Sequence, residues 1–84
     1  MKIKIPLRDL QQGDVGYVCD LTVSGPLRRR LLDLGLTEST LVQCVLKRGF
    51  DAPAVYFIRG ARIALRAADA AKIMIYVSDI EENV

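Results

Sequence analysis

The stretch Pro26-Leu27-Arg28-Arg29-Arg30-Leu31-Leu32-Asp33-Leu34-Gly35-Leu36 reads as one short helix that carries its own start and stop signals. Pro26 suits the first helical position, where its missing N–H has no partner to lose. Gly25 can serve as N-cap, although Ser24 would cap better if the helix began one residue earlier. Gly35 suits the left-handed residue that ends a helix, because it has no Cβ to clash. A helix over Pro26–Leu34 follows. Its three arginines sit at the end where the helix dipole favours anions, a conflict on the order of a few tenths of a kcal/mol per exposed charge. On a helical wheel Leu27, Leu31 and Leu34 form one apolar stripe. Arg29 lies opposite the stripe, Arg28 and Arg30 flank it, and Leu32 falls off it beside Arg28. Two readings stand. Either the arginines form a solvated face whose stems cover core leucines, or Arg28, Arg29 and Leu32 form a docking surface, since arginine beside an apolar residue is what interface anchors look like.

Outward from the helix the pattern changes to period two. Gly16–Val23 alternates, with Tyr17, Cys19, Leu21 and Val23 on one face and Val18, Asp20 and Thr22 on the other, as a strand would. Leu41–Lys47 is a second strand, with Val42, Cys44 and Leu46 sharing a face. Arg48–Pro53 is a loop marked by Gly, Asp and Pro. Val55–Ile58 is a strand, Arg59-Gly60-Ala61 a tight turn, and Arg62–Arg66 a strand that pairs back. Ala67–Lys72 has room for one helical turn, and Ile73–Val77 is a last strand. Upstream, Ile3–Ile5 reads as a short strand that Pro6 ends or places at an edge. The segment from Leu7 to Gly13-Asp14 is a turn that spaces the anchoring residues Leu7 and Leu10. Short strands joined by short turns predict a closed or nearly closed barrel, which hides strand edges. Residues 1–78 are expected to form a single domain, and 79–84 a short polar tail.

Composition narrows the function. Eighty-four residues make one domain. A chain of that size hides roughly 60–65% of its unfolded surface. Half the residues are hydrophobic, yet only five are aromatic and none is Trp, so the core is built from Leu, Ile, Val and Ala. The net charge of +2 is mild, and it understates the body of the chain, because Asp79, Glu81 and Glu82 cluster in the tail. The start of the chain lacks the apolar run of a signal peptide, and no stretch reaches the ~20 apolar residues of a membrane span. The chain therefore reads as cytoplasmic. Cys19 and Cys44 read as small buried thiols in a reducing compartment. With no His in the chain, a built-in zinc or iron site is not expected, which leaves only weak surface binding of a divalent ion through carboxylates. No phosphate loop, nucleophile elbow or carboxylate pair stands out, so no enzyme is expected.

Lys47, Arg48, Arg59 and Arg62 lie at the loops around strand Val55–Ile58. They read as solubility charge, or as a patch for an acidic protein, a phosphate or RNA. Against RNA, only Phe50, Tyr56 and Phe57 lie near for base stacking. Tyr56 and Phe57, adjacent in a strand, face opposite sides. Nucleic acid is accordingly not the expected partner.

Three groups of residues together carry a family resemblance. The first is Leu7, Leu10, Gly13 and Gly16 ahead of the strand at Tyr17. The second is Arg30-Leu31-Leu32-Asp33-Leu34-Gly35-Leu36 followed by Thr40 and Val42. The third is Pro53, Gly60, Ile63-Ala64-Leu65-Arg66, Ile73 and Val77. In this order and spacing, over roughly Ile5 to Val77, the chain resembles the FeoA family, small accessory proteins of bacterial ferrous iron uptake. The resemblance implies a mostly β fold: a small SH3-like β-barrel of five or six short strands, with one short α-helix inserted after the first main strand. The same barrel forms the C-terminal domain of metal-dependent iron and manganese repressors. The implied role is support of the membrane transporter FeoB through its GTP-binding cytoplasmic region. Arg28, Arg29, Leu32, Lys47 and Arg48 are the candidate partner-binding residues. Alternatives are a metal-linked regulatory or nucleic-acid-binding barrel, and a direct iron chaperone. Pairing of the chain with itself is compatible with exposed strand edges and with Leu32 on the surface. Two positions depart from the family pattern. Ser39 stands where Gly is usual, and Asp51-Ala52 stands where Gly-Asp usually precedes the proline. Each bears on a turn, because Gly permits a positive φ that Ser and Ala tolerate poorly.

Overall fold

In the computed structural model, which describes residues 2–78, every strand is short and every neighbouring pair of strands is antiparallel. The chain runs β1 (Lys2–Pro6), a 3-10 turn (Leu7–Asp9), β2 (Val15–Leu21), α1 (Gly25–Asp33), β3 (Leu41–Lys47), β4 (Ala54–Ile58), β5 (Ala61–Leu65), α2 (Ala67–Ala70) and β6 (Ile73–Ser78). The sheet order is β1-β6-β2-β3-β4-β5. The tail expected at 79–84 lies outside the described residues. Each strand and helix read from the sequence is present, with ends shifted by one or two residues, as helix and strand ends commonly are. The mostly β fold expected from the sequence is present, with one seam left open. The ladder is not closed, because β1 and β5 each pair on one side only and remain edges.

The core draws on every element except β1, whose Ile5 packs partly against it. Leu7, Leu10, Val18, Leu31, Leu36, Val42, Tyr56, Ile58, Ile73 and Ile75 are all buried. Tyr56 is the one large aromatic inside, and burial, with a smaller push from Cys44, raises its phenol to about 12.

Two expected faces are corrected, both by β-bulges. In β2 the register against β6 shifts between Val18 and Asp20, so Cys19 is the extra residue. Ahead of the bulge Val18 is buried and Tyr17 is 50% exposed; beyond it Val23 is buried and Leu21 packs partly against the core. Tyr17 and Val23 therefore do not share a face. In β3 the register against β4 shifts between Cys44 and Leu46. Val42 and Cys44 are buried while Leu46 is turned out. One extra residue reverses a period-two pattern, so alternation read straight through a bulge assigns the far half to the wrong side.

Ser39 carries a φ of +72, the conformation for which glycine is the easy choice. It holds this shape because the segment is stitched to β2. The Ser39 N–H donates to the Val18 carbonyl at 2.6 Å, and the Val18 N–H donates to the Thr40 carbonyl at 2.9 Å. A left-handed non-glycine residue costs roughly 1–2 kcal/mol, part of which glycine returns through a more flexible unfolded chain. Ser39→Gly is therefore expected to stabilise the domain by about 0.5–1 kcal/mol and to raise Tm by a few degrees in thermal circular dichroism. A lowered Tm would refute the strain at this position. At the other departure neither Asp51, which stands where glycine is usual, nor Ala52 has a positive φ.

Candidate protein-docking site

Helix α1 leaves the end of β2 and returns to β3, and its ends fix its placement. Ser24 is its N-cap but makes no capping bond with its side chain, and Pro26 lies in the first turn. At the far end the Leu36 N–H donates to the Leu31 carbonyl and the Gly35 N–H to the Leu32 carbonyl, both at 2.9 Å. These are the two bonds of a Schellman stop, with Gly35 in the left-handed position at φ +92. The next residues are locked by Thr40, which is buried. Its hydroxyl donates to the Gly35 carbonyl at 3.1 Å and accepts from the Thr37 N–H at 3.0 Å. The burial pattern follows the helical wheel: Leu31 is fully buried, Leu27 and Leu34 pack partly against the core, and Arg28, Arg29 and Arg30 are exposed.

The candidate residues fall into two groups: of the first only Arg29 lines a groove, and Lys47 and Arg48 line a different one. Arg28, Arg29 and Leu32 lie on α1. The Arg28 guanidinium donates from Nη1 to the Leu21 carbonyl at 2.9 Å, which steadies the helix start against the end of β2. Leu32 is 39% exposed, one turn along the helix from Arg28. Lys47 and Arg48 sit elsewhere, with Gln11, Gln12 and Phe50. Lys47 is engaged within the fold. Its ammonium donates to the Arg8 carbonyl and, at 3.1 Å, to the Leu10 carbonyl, tying the 3-10 turn to β3. The exposed Phe50 ring lies 4.5 Å from the Arg8 guanidinium carbon and 5.8 Å from the Lys47 nitrogen. Arg48 is exposed.

The sequence did not show that Arg62 lies beside the helix, across from Arg29 and Arg30. Arg29, Arg30 and Asp33 of α1 face Ala61, Arg62 and Ile63 of β5 across a shallow groove. Arg59 lies in the turn that precedes β5. It and Gly60 form the β4–β5 turn with φ of +48 and +86, as the hairpin turn of type I′ requires at both central positions. The Arg59 stem then lies over Gly35: a Cβ at residue 35 would stand 2.5 Å from Arg59 Cδ. Alternation along β5 could have placed Arg62 on the outer face, but the approach of the helix to that strand is a tertiary fact with no local signal.

Cys44 is buried and Cys19 half-buried, and burial pushes both thiols above their ordinary value. That setting suits inert thiols better than nucleophiles. Among the described residues no group of three His, Cys, Asp or Glu side chains lies close enough to hold a metal ion. None of their helices is long and apolar enough to cross a membrane.

Comparison with known proteins bears on this arrangement. A family model described as the FeoA domain matches residues 5–77. A solved structure of an iron uptake regulatory protein, FeoA, is 25% identical with a TM-score of 0.75, over 87% of this chain and 96% of that one. FeoA of Stenotrophomonas maltophilia, a procaryotic SH3 domain protein solved with zinc, is 25% identical with a TM-score of 0.68, over 82% and 86% of the two chains. A manganese-dependent transcriptional repressor shares the fold at 19% identity and a TM-score of 0.76, over 93% of this chain and 44% of its own. A comparison with curated protein sequences finds no match.

Proposed function

The chain belongs to the FeoA family, and from that premise we propose that it serves ferrous iron transport as an interaction module, docking on the GTP-binding cytoplasmic region of FeoB through α1. The observation that carries the proposal is the family match across residues 5–77, which includes α1 and both of its anchoring ends. The helix is held rigidly by Leu31 and by the Gly35 stop, while Arg29 and Leu32 face outward. A rigid face of this kind costs little ordering entropy on binding. Docking alters a transporter only by holding one of its conformations better than another. The role puts the chain in the cytoplasm, brought to the inner face of the membrane by its partner. It requires no catalytic step and no resident metal in this chain.

Titration of the labelled protein with the FeoB cytoplasmic region, empty, GDP-bound and bound to a GTP analogue, tests the reading. We expect binding, and we expect the double variant Arg29→Glu with Leu32→Glu, two outward residues that make no side-chain hydrogen bond among the described residues, to weaken it at least tenfold while Tm stays close to the parent value. Failure to bind in every nucleotide state, with full-length FeoB included, refutes direct docking. Unchanged binding by the double variant removes α1 from the contact.

A further inference from the structure

The two edges of the sheet are built differently. β1 carries Lys2, Lys4 and Pro6, the residue types that discourage another strand from pairing. β5 has no proline, its pairing with β4 runs without a bulge, and its only charge is Arg62. The two-residue turn at Arg59-Gly60 makes Ile58 and Ala61 the first hydrogen-bonded pair of the hairpin. Bonded pairs then alternate, through Tyr56 with Ile63 and Ala54 with Leu65. The N–H and C=O groups of Arg62 and Ala64 therefore point away from β4, along the open edge. Both residues are exposed, while Ile63 and Leu65 are buried.

Beside this edge lies α1, with Arg29 and Arg30 on the wall of the shared groove and Arg62 opposite. Asp33 is the one acid in that lining. Among the described residues none of these three arginines makes an ion pair. The groove thus offers backbone groups in strand spacing on one side and cations on the other.

We propose that the open edge of β5 takes up an extended acidic segment of the partner protein as an added strand, its carboxylates held by Arg29, Arg30 and Arg62. The backbone bonds to Arg62 and Ala64 set the register, and the arginines select for acid. This deepens the docking function and rests on the reading of the chain as an interaction module.

The probe is a capped seven-residue peptide alternating glutamate and valine, titrated into the isotope-labelled protein and followed by NMR. Binding is expected, with slowed hydrogen exchange at the amides of Arg62 and Ala64. The same peptide methylated on every backbone nitrogen, and a version with lysine for glutamate, are each expected to bind at least tenfold more weakly. Ala64→Pro removes one outward N–H without breaking the bond pattern to β4, and is expected to weaken binding by a similar factor. Should that variant unfold, the methylated peptide on the parent protein decides. No binding, equal binding of the methylated or lysine peptide, or perturbation of α1 without protection of the two amides overturns the proposal. Protection of those amides at high protein concentration without peptide makes a second copy the occupant and overturns it as well. If Ala64→Pro binds the FeoB region like the parent, the edge is removed and docking through α1 stands. If the parent binds the peptide but not FeoB, the reverse holds.

Discussion

Replacing Leu31 with alanine is expected to cost about 2–5 kcal/mol of folding stability, the range for emptying a buried leucine site. Leu31 is fully buried and is the residue that seats α1 on the sheet. It also supplies the carbonyl that receives the Leu36 N–H in the helix stop. The hole cannot close readily, because both ends of the helix are tied: Leu36 is fully buried just past the stop, and Val23 is buried just before the start. A domain of this length has a total stability of roughly 4–13 kcal/mol, so the variant loses a large share of it. Urea unfolding should show a lower midpoint with an unchanged slope. Partner binding should weaken too, since the face carrying Arg29 and Leu32 is then free to shift. A loss under about 1 kcal/mol would mean that the helix rides on the surface and is not seated by Leu31.

Gly16→Ala is the second large effect. Gly16 lies in β2 beside β6, and its backbone conformation is open to any residue. The obstacle is room. A Cβ there would sit 2.9 Å from the Tyr76 carbonyl oxygen, 2.8 Å from Ile75 Cδ1 and 3.3 Å from Val77 Cγ1. The Ile75 tip can rotate aside, whereas the Tyr76 carbonyl is part of the β6 backbone. The two strands must therefore part locally, at a cost of about 1–3 kcal/mol typical of overpacking. For a domain this small, each kcal/mol lowers Tm by about 4–8 °C. Gly49→Ala is the matched control: Gly49 has no neighbouring atom where a Cβ would go and no positive φ. A Gly16→Ala protein as stable as that control would refute the close approach of β2 and β6.

These two sites also show what can be read from the residues alone. Leu31 is legible because helical spacing puts it with Leu27 and Leu34, and Gly35 is legible as a stop. The strands are legible from alternation. The faces of Leu46 and Val23 are not, because a bulge adds a residue without altering composition, and nothing near Cys19 or Val45 announces it. Ser39 stands out by its departure from the family pattern, and its positive φ explains why glycine is usual there. The candidate docking site is half legible. Arg28, Arg29 and Leu32 follow from the wheel. The inward turn of Lys47 and the meeting of Arg62 with Arg29 and Arg30 depend on long-range packing. The open β5 edge follows from strand order, which alternation alone does not reveal.

The contact of Arg59 with Gly35 has a consequence for how this sequence can change over time. Residue 59 lies in a hairpin turn and residue 35 at a helix stop, and they are far apart along the chain. Yet the space a side chain at 35 would need is already occupied by the Arg59 stem. The stem is flexible and can swing aside, but the φ of +92 stays, so shortening residue 59 does not release residue 35 from glycine. Across related sequences glycine should therefore persist at 35 while residue 59 varies in size, with the constraint running one way between the two positions.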